Sequence, residues 1–191
     1  MASRPITMDE HILLMKTMNE NHDGFFKRNE QIIRILTIEG SVGLRIGDIL
    51  KIRLADFFYT DKGYRLKIVE EKTGKERNVP VPNELYAYLT EYAITKGKGR
   101  NDKIFTIGKR AINRYIHKVA IDYLEMTDVS SHSWRKMYAQ NIFEKSGKDL
   151  LATQEALMHS SIACTRRYLS YRSEKLEKIL QSNSAIVELG D

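Results

Sequence analysis

At 191 residues, with 42% apolar and 29% charged side chains, the chain is long enough to bury a core and too apolar to stay disordered. No run of about 18 apolar residues exists to cross a membrane. Residues 1–7 lack a signal-peptide core and the single cysteine, Cys164, excludes an internal disulfide, so a cytoplasmic setting is expected. The net charge of +6 and pI of about 9.3 favour a polyanionic partner. Residues 96–118 hold Lys96, Lys98, Arg100, Lys103, Lys109, Arg110, Arg114 and Lys118 against Asp102 alone, a local +7 that leaves the remainder nearly neutral. Charge concentrated in this way favours a phosphate-binding surface over general solubility.

In chain order, Thr7-Met8-Asp9-Glu10 is a Thr-x-x-Glu capping box opening a first helix, with Ile12, Leu13, Met15 and Met18 as its expected apolar face. A second helix is predicted over 26–39, with Ile32, Ile33 and Leu36 inward and Gly40 as its stop. Gly40, Gly43 and Gly47 loosen the chain around Arg45, and a short helix is predicted over 46–52. The texture then changes. Phe57-Phe58-Tyr59, residues 64–69 and residues 77–81 read as antiparallel strands, joined by turns at Asp61-Lys62-Gly63 and Lys72-Thr73-Gly74-Lys75. Pro80 and Pro82 put the last strand at an edge, or end it there. Helices are predicted over 83–95, 111–124, 132–145, 150–158, 162–168 and 173–181, before an apolar tail, Ala185-Ile186-Val187-Glu188-Leu189. The predicted class is mainly α with a small three-stranded antiparallel sheet, one domain over residues 1–191.

His132-Ser133-Trp134-Arg135 puts His132 and Arg135 on one helical face. His159 lies 24 residues after Arg135, and Tyr168 nine after that, in Cys164-Thr165-Arg166-Arg167-Tyr168. Upstream stand Arg45, in Gly43-Leu44-Arg45-Ile46-Gly47-Asp48, and Lys72 in the strand turn. Singly, each has an ordinary reading. Arg45 could pair with Asp48 on a helix surface, and Lys72 or Lys75 could be a solvated turn lysine. His132 could cap its helix with Ser130 or Ser131, His159 could be structural, and Tyr168 or Tyr171 could be an amphipathic core residue. Trp134 is expected in the core. No metal site is expected, because His132, His159 and Cys164 fit no common zinc spacing.

Taken in order, as Arg, hairpin Lys, His-x-x-Arg, His and then Tyr nine residues on, the set resembles the catalytic domain of the tyrosine recombinases, the phage integrase family. The resemblance runs along essentially the whole chain from Thr7 and implies that family's fold. It implies cutting and rejoining of DNA through a 3′-phosphotyrosine, with no cofactor. Arg45 and Arg135 match the family's two arginines, Lys72 its hairpin lysine, His132 and His159 its histidines, Tyr168 its nucleophile and Asp48 its supporting acid. Met158 stands where glycine is usual, and Trp134 where leucine is common. These roles make physical sense. Guanidiniums fork to phosphate oxygens and stay charged, while a phenol with a pKa of about 10 needs help to ionise. His132 is placed to assist that proton, Lys72 to protonate a departing 5′ oxygen, and His159 to donate to the phosphate.

Double-stranded DNA is the expected partner, with Lys75, Arg77, Lys96, Lys98, Arg100, Lys109, Arg110 and Arg114 as expected contacts. A tetramer on two DNA sites is expected, from protomers that associate weakly or not at all without DNA. The family's N-terminal clamp domain is not expected within these residues, and residues 173–191 are expected to dock on a neighbouring protomer. Two alternatives use the same scaffold, a catalytically silent DNA-binding regulator and a type IB topoisomerase-like enzyme.

Overall fold

The computed structural model of the chain describes residues 3–22, 24–159 and 161–169. The capping box forms at the start of α1 (Met8–Met18): Thr7 Oγ1 accepts from Glu10 N at 3.1 Å, and Glu10 Oε2 accepts from Thr7 N at 2.8 Å. The buried face of α1 is Leu14, Thr17 and Met18, whereas Ile12 and Leu13 are 45% and 47% exposed. Met18 of the expected face is buried and Met15 packs partly on the core, but Leu14 takes the inward place expected of Leu13, because apolar residues populate more than one stripe of this helix. Its packing partner, the segment that follows α5, decides the face.

The next helix, α2 (Glu30–Val42), begins four residues later than the sequence pattern suggested, because the Asn29 side chain caps it by accepting from Ile32 N at 3.2 Å. Phe26 instead bridges back to His22. The helix also passes through Gly40, which is small because Met137 and Trp134 press against it. Gly43, left-handed at φ 66°, ends the helix, and the Tyr138 ring leaves no room there for a Cβ. A one-turn helix, α3 (Ile46–Ile49), follows directly.

β1 (Phe57–Thr60), β2 (Gly63–Val69) and β3 (Glu76–Pro80) form the expected antiparallel meander, in the order β1-β2-β3 with Phe57 opposite Leu66 and Leu66 opposite Val79. The last strand is an edge and ends at Pro80, and Pro82 precedes α4 (Asn83–Thr95). α4 covers the sheet, with Tyr86 stacked on Tyr64 at 3.8 Å.

α5 (Lys109–Ile116) starts two residues before the expected point and continues through His117–Tyr123 in π-helical turns. The closing bond of that segment, Leu124 N to Val119 O at 3.0 Å, spans five residues. α6 (His132–Lys145) packs on α2, and α7 (Leu150–Leu157) and α8 (Ile162–Leu169) pack in turn on α6. Trp134 is fully buried, its indole N–H donating to His11 Nδ1 at 3.1 Å. The expected helix over 173–181 and the apolar tail lie outside the described residues.

α7 ends on Met158 at φ 58° and ψ 39°, the left-handed conformation that glycine takes without a Cβ penalty. Its N–H returns to Glu155 O at 3.0 Å, and the N–H of His159 to Gln154 O at 3.0 Å, so the backbone closes the helix as a glycine cap would. Both Met158→Gly and Met158→Ala lose the side chain's packing, but only the alanine keeps the strain. Chemical denaturation is expected to find the glycine variant more stable than the alanine variant by about 1 kcal/mol.

Candidate active site

Arg45 stands between the Gly43 turn and α3, in extended conformation at ψ 144°. Its Nη1 donates to Glu70 Oε1 at 3.1 Å rather than pairing with Asp48. Glu70 follows β2, and its side chain is 2% exposed. The same carboxylate accepts from Thr73 Oγ1 at 2.6 Å and pairs with Arg77 Nε at 3.5 Å. Arg77 in turn donates from Nη2 to Met158 O at 3.2 Å. Asp48, also buried, accepts from Glu71 N at 2.8 Å, tying α3 to the start of the hairpin turn. Burial pushes the Glu70 carboxyl up, but the Thr73 hydroxyl, Arg77 and Arg45 outweigh it and hold the pKa below the ordinary glutamate value.

Arg135 of α6 is 4% exposed and donates to two backbone carbonyls, Gly43 O and, at 2.7 Å, Leu157 O. It therefore fixes the turn before Arg45 and the turn before His159 together. His132, the first residue of α6, is exposed; its pKa is lowered by desolvation first and then by Arg135, Arg45 and Lys136. The backbone N–H of His132 is met by Ser130 Oγ at 3.3 Å, and Ser131 makes no side-chain cap.

The His159 ring holds Nδ1 3.1 Å from the buried Thr165 Oγ1, and its pKa is lowered to about 4 by burial, then by Arg135 and Arg45. Edge-on to it, with 5.1 Å between ring centroids, lies Tyr168. The Tyr168 hydroxyl is buried without a hydrogen-bond partner among the described residues. Burial pushes its pKa up to about 12 even though Arg135 pulls it down. The guanidinium is thus near enough to act on the phenol without the alignment of a formed hydrogen bond.

A hollow of about 450 Å³ opens on this cluster, lined by Arg45, Lys72, Lys109, Asn113, Ser131 and His132 among others. Lys72 lines it, whereas Lys75 and Tyr168 do not. Lys109 Nζ pairs with Glu71 at 3.1 Å across Gly47, where any Cβ would meet that pair. Beside the hollow, α5 presents Lys109, Arg110 and Arg114 outward.

The basic segment does not form one face around this hollow. Lys96 and Lys98 line a separate hollow with Arg28, and Lys96 is paired with Glu30 at 3.1 Å. The backbone of Arg100 is pinned to Ala55. Arg77, one of the expected DNA contacts, pairs with Glu70 and donates to Met158 O, which makes it part of the site's frame. Sequence reasoning missed Glu70, Thr73 and Thr165. An acid and a threonine flanking the hairpin lysine, and a threonine three residues before Tyr168, were the available signals.

A mainly helical domain that gathers two arginines, two histidines and a tyrosine beside a hairpin lysine has the form of a tyrosine-recombinase catalytic domain. The chain belongs to the phage integrase family, whose model matches residues 5–175. A tyrosine recombinase XerC of Xanthomonas axonopodis pv. citri is 32% identical over 151 residues, covering 76% of this chain and 48% of that protein. A XerC of Pelobacter propionicus is 26% identical over 181 residues, covering 91% of this chain and 57% of its own length. The chain thus spans about half the length of these curated relatives. Among solved structures, the catalytic domain of bacteriophage HP1 integrase superimposes with a TM-score of 0.65 at 21% identity, covering 95% of each chain. A XerH recombinase bound to its difH substrate gives 0.69 at 18% identity, covering 93% of this chain and 53% of that one.

Removing the Glu70 charge leaves Arg45 and Arg77 without their shared anion. Glu70→Gln is expected to cost about 3 kcal/mol at neutral pH. The folded carboxyl titrates below its unfolded value, so its contribution is complete above the unfolded pKa and is lost as pH falls through the folded one. Denaturation series should find the gap between the two proteins closing as pH drops below about 4.3.

Proposed function

We propose that this chain is the catalytic domain of a site-specific DNA recombinase, cutting and rejoining double-stranded DNA through a 3′-phosphotyrosine link at Tyr168. The observation that carries this reading is the convergence of Arg45, His132, Arg135, His159 and Tyr168 into one electrostatically coupled cluster beside a basic hollow. The two guanidiniums fork to the non-bridging oxygens of the scissile phosphate and offset the charge that builds as the phosphorane forms. Tyr168 Oη bonds to phosphorus and the P–O5′ bond breaks. The phenol proton passes to His132, and Lys72 protonates the departing 5′ oxygen. Attack of another 5′ hydroxyl on the phosphotyrosine runs these steps in reverse and rejoins the strand.

The titration of the groups supports these roles. A phenol shifted to about 12 is almost wholly protonated at neutral pH and needs an acceptor at the moment of attack. Both histidines are shifted down and are neutral there. A Thr165 hydroxyl donating to His159 Nδ1 leaves the ring proton on Nε2, free to donate to the phosphate. The Tyr168 hydroxyl does not reach the hollow in this conformation, so DNA docking has to uncover it. Lys109, Arg110 and Arg114 on α5 supply phosphate contacts, and Asp48 supports Arg45 through the backbone of Glu71. A complete reaction on two DNA sites calls for four protomers, with residues 173–191, outside the described region, as the expected docking segment.

The test is a nicked suicide duplex incubated without metal and resolved on a denaturing gel. The chain should form a covalent adduct that Tyr168→Phe abolishes and that Arg45→Ala or Arg135→Ala slows by about 10²–10³. Bound but uncut DNA would favour the silent regulator. Because the folded pKa of His132 lies below the ordinary histidine value, adduct formation at limiting DNA should hold at neutral pH. It should decline only as pH falls through that lowered pKa, at a pH below the ordinary histidine value of about 6.5.

The α5 stripe has its own signature. Arg110→Ala with Arg114→Ala is expected to weaken binding uniformly across DNA sequences and to reduce the slope of log K against log salt by about 2 in filter-binding titrations.

A further inference from the structure

Glu39 of α2 is fully buried, and neither of its carboxyl oxygens has a hydrogen-bond partner among the described residues. Its backbone is tied to the same turn that Arg135 grips. The next residue, Gly40, is pressed by Trp134 and Met137, which flank Arg135 on α6. The N–H of Gly43 donates to Glu39 O at 3.0 Å, and the carbonyl of Gly43 accepts from Arg135. Glu39 acts electrostatically on Arg135 and on Tyr168.

Among the other titratable groups here, the Tyr168 hydroxyl has no partner among the described residues and acts electrostatically on Arg135. Glu70 is committed to Arg45, Arg77 and Thr73, and the Tyr138 ring covers Gly43. Arg135 forms no salt bridge among the described residues; two of its donors go to carbonyls, and a guanidinium carries five. Burial drives the ionisation of Glu39 well above the ordinary carboxylate range against the pull of Arg135. A buried acid with unmet hydrogen bonds costs stability, and a leucine in its place would not. Its presence therefore calls for a reason other than packing.

We propose that Glu39 is a positioning residue for Arg135: an uncharged carboxyl that accepts one of the guanidinium's spare donors as Arg135 turns to a DNA phosphate. An ionised carboxylate would divide the guanidinium's charge between two anions, whereas a neutral one steers it and leaves that charge to the phosphate. The inference rests on the reading of Arg135 as a phosphate ligand.

The whole chain is tested on the nicked suicide duplex, with adduct rate and DNA affinity measured separately. Glu39→Gln, neutral and of the same shape, is expected to cleave within about twofold of the unaltered chain. Glu39→Leu should cleave at least roughly tenfold more slowly, with DNA affinity within about threefold and a thermal midpoint no lower than before. Full-rate cleavage by Glu39→Leu would mean that Glu39 only fills space and would overturn the proposal. So would Glu39→Gln as slow as Glu39→Leu, which would mean that the charge is needed. Isotope-edited infrared spectra give a reading independent of folding in the leucine variant. An un-ionised carboxyl band at neutral pH, absent from Glu39→Gln, supports the proposal, and its absence overturns it. Arg135→Ala is the control: if it cleaves at full rate, the reading of Arg135 has failed, whatever the Glu39 variants do.

Discussion

One buried carboxylate holds the catalytic face in register. Glu70 sits where β2 ends and receives Arg45 from the start of α3, Arg77 from β3 and Thr73 from the hairpin turn. Take it away and two cations face each other with no anion between them, at a depth where screening by solvent is weak. Its reach extends further than its contacts. Arg77, held by Glu70, grips the carbonyl of Met158, which fixes the end of α7 immediately before His159. Arg135 closes the frame from the other side through the carbonyls of Gly43 and Leu157. The hairpin, the α2–α3 turn and the α7–α8 turn are thus located by one carboxylate and two arginines.

That division explains what could be read from sequence. Arg45, Lys72, His132, Arg135, His159 and Tyr168 could be singled out because their order along the chain resembles that of a known family, and the structure brings Arg45, His132, Arg135, His159 and Tyr168 within electrostatic reach of one another. Glu70 and Thr165 could not be, because an acid after a strand and a threonine in a helix are ordinary until burial makes them obligatory partners. Some limits set by local capping came out well, such as the box at Thr7 and the strand end at Pro80, though the Asn29 cap that starts α2 was missed. Those decided by packing did not. Gly40 was small to admit Trp134 and Met137 rather than to end a helix, and Leu14 rather than Leu13 faced inward. Charge counting found the basic segment but not its geometry. Whether a lysine such as Lys96 or Lys109 lies beside the reacting groups depends on which hollow its element borders.

Burial gives the site a consistent electrostatic character. Desolvation disfavours the charged form of any group able to shed its charge. His132 and His159 are accordingly pushed toward the neutral imidazole, Tyr168 toward the phenol and Glu39 toward the carboxylic acid. Guanidiniums cannot respond in this way at any working pH. What survives at the heart of the cluster is positive charge on Arg45 and Arg135, with Glu70 as the ionised acid that places the former. A phosphate entering such a site meets cations that are already oriented and little opposing charge, and little has to reorganise as the extra negative charge develops. The departure of Met158 from glycine fits the same logic. It strains the backbone locally, yet it keeps its carbonyl on Arg77 and its cap intact, so the turn before His159 keeps its place.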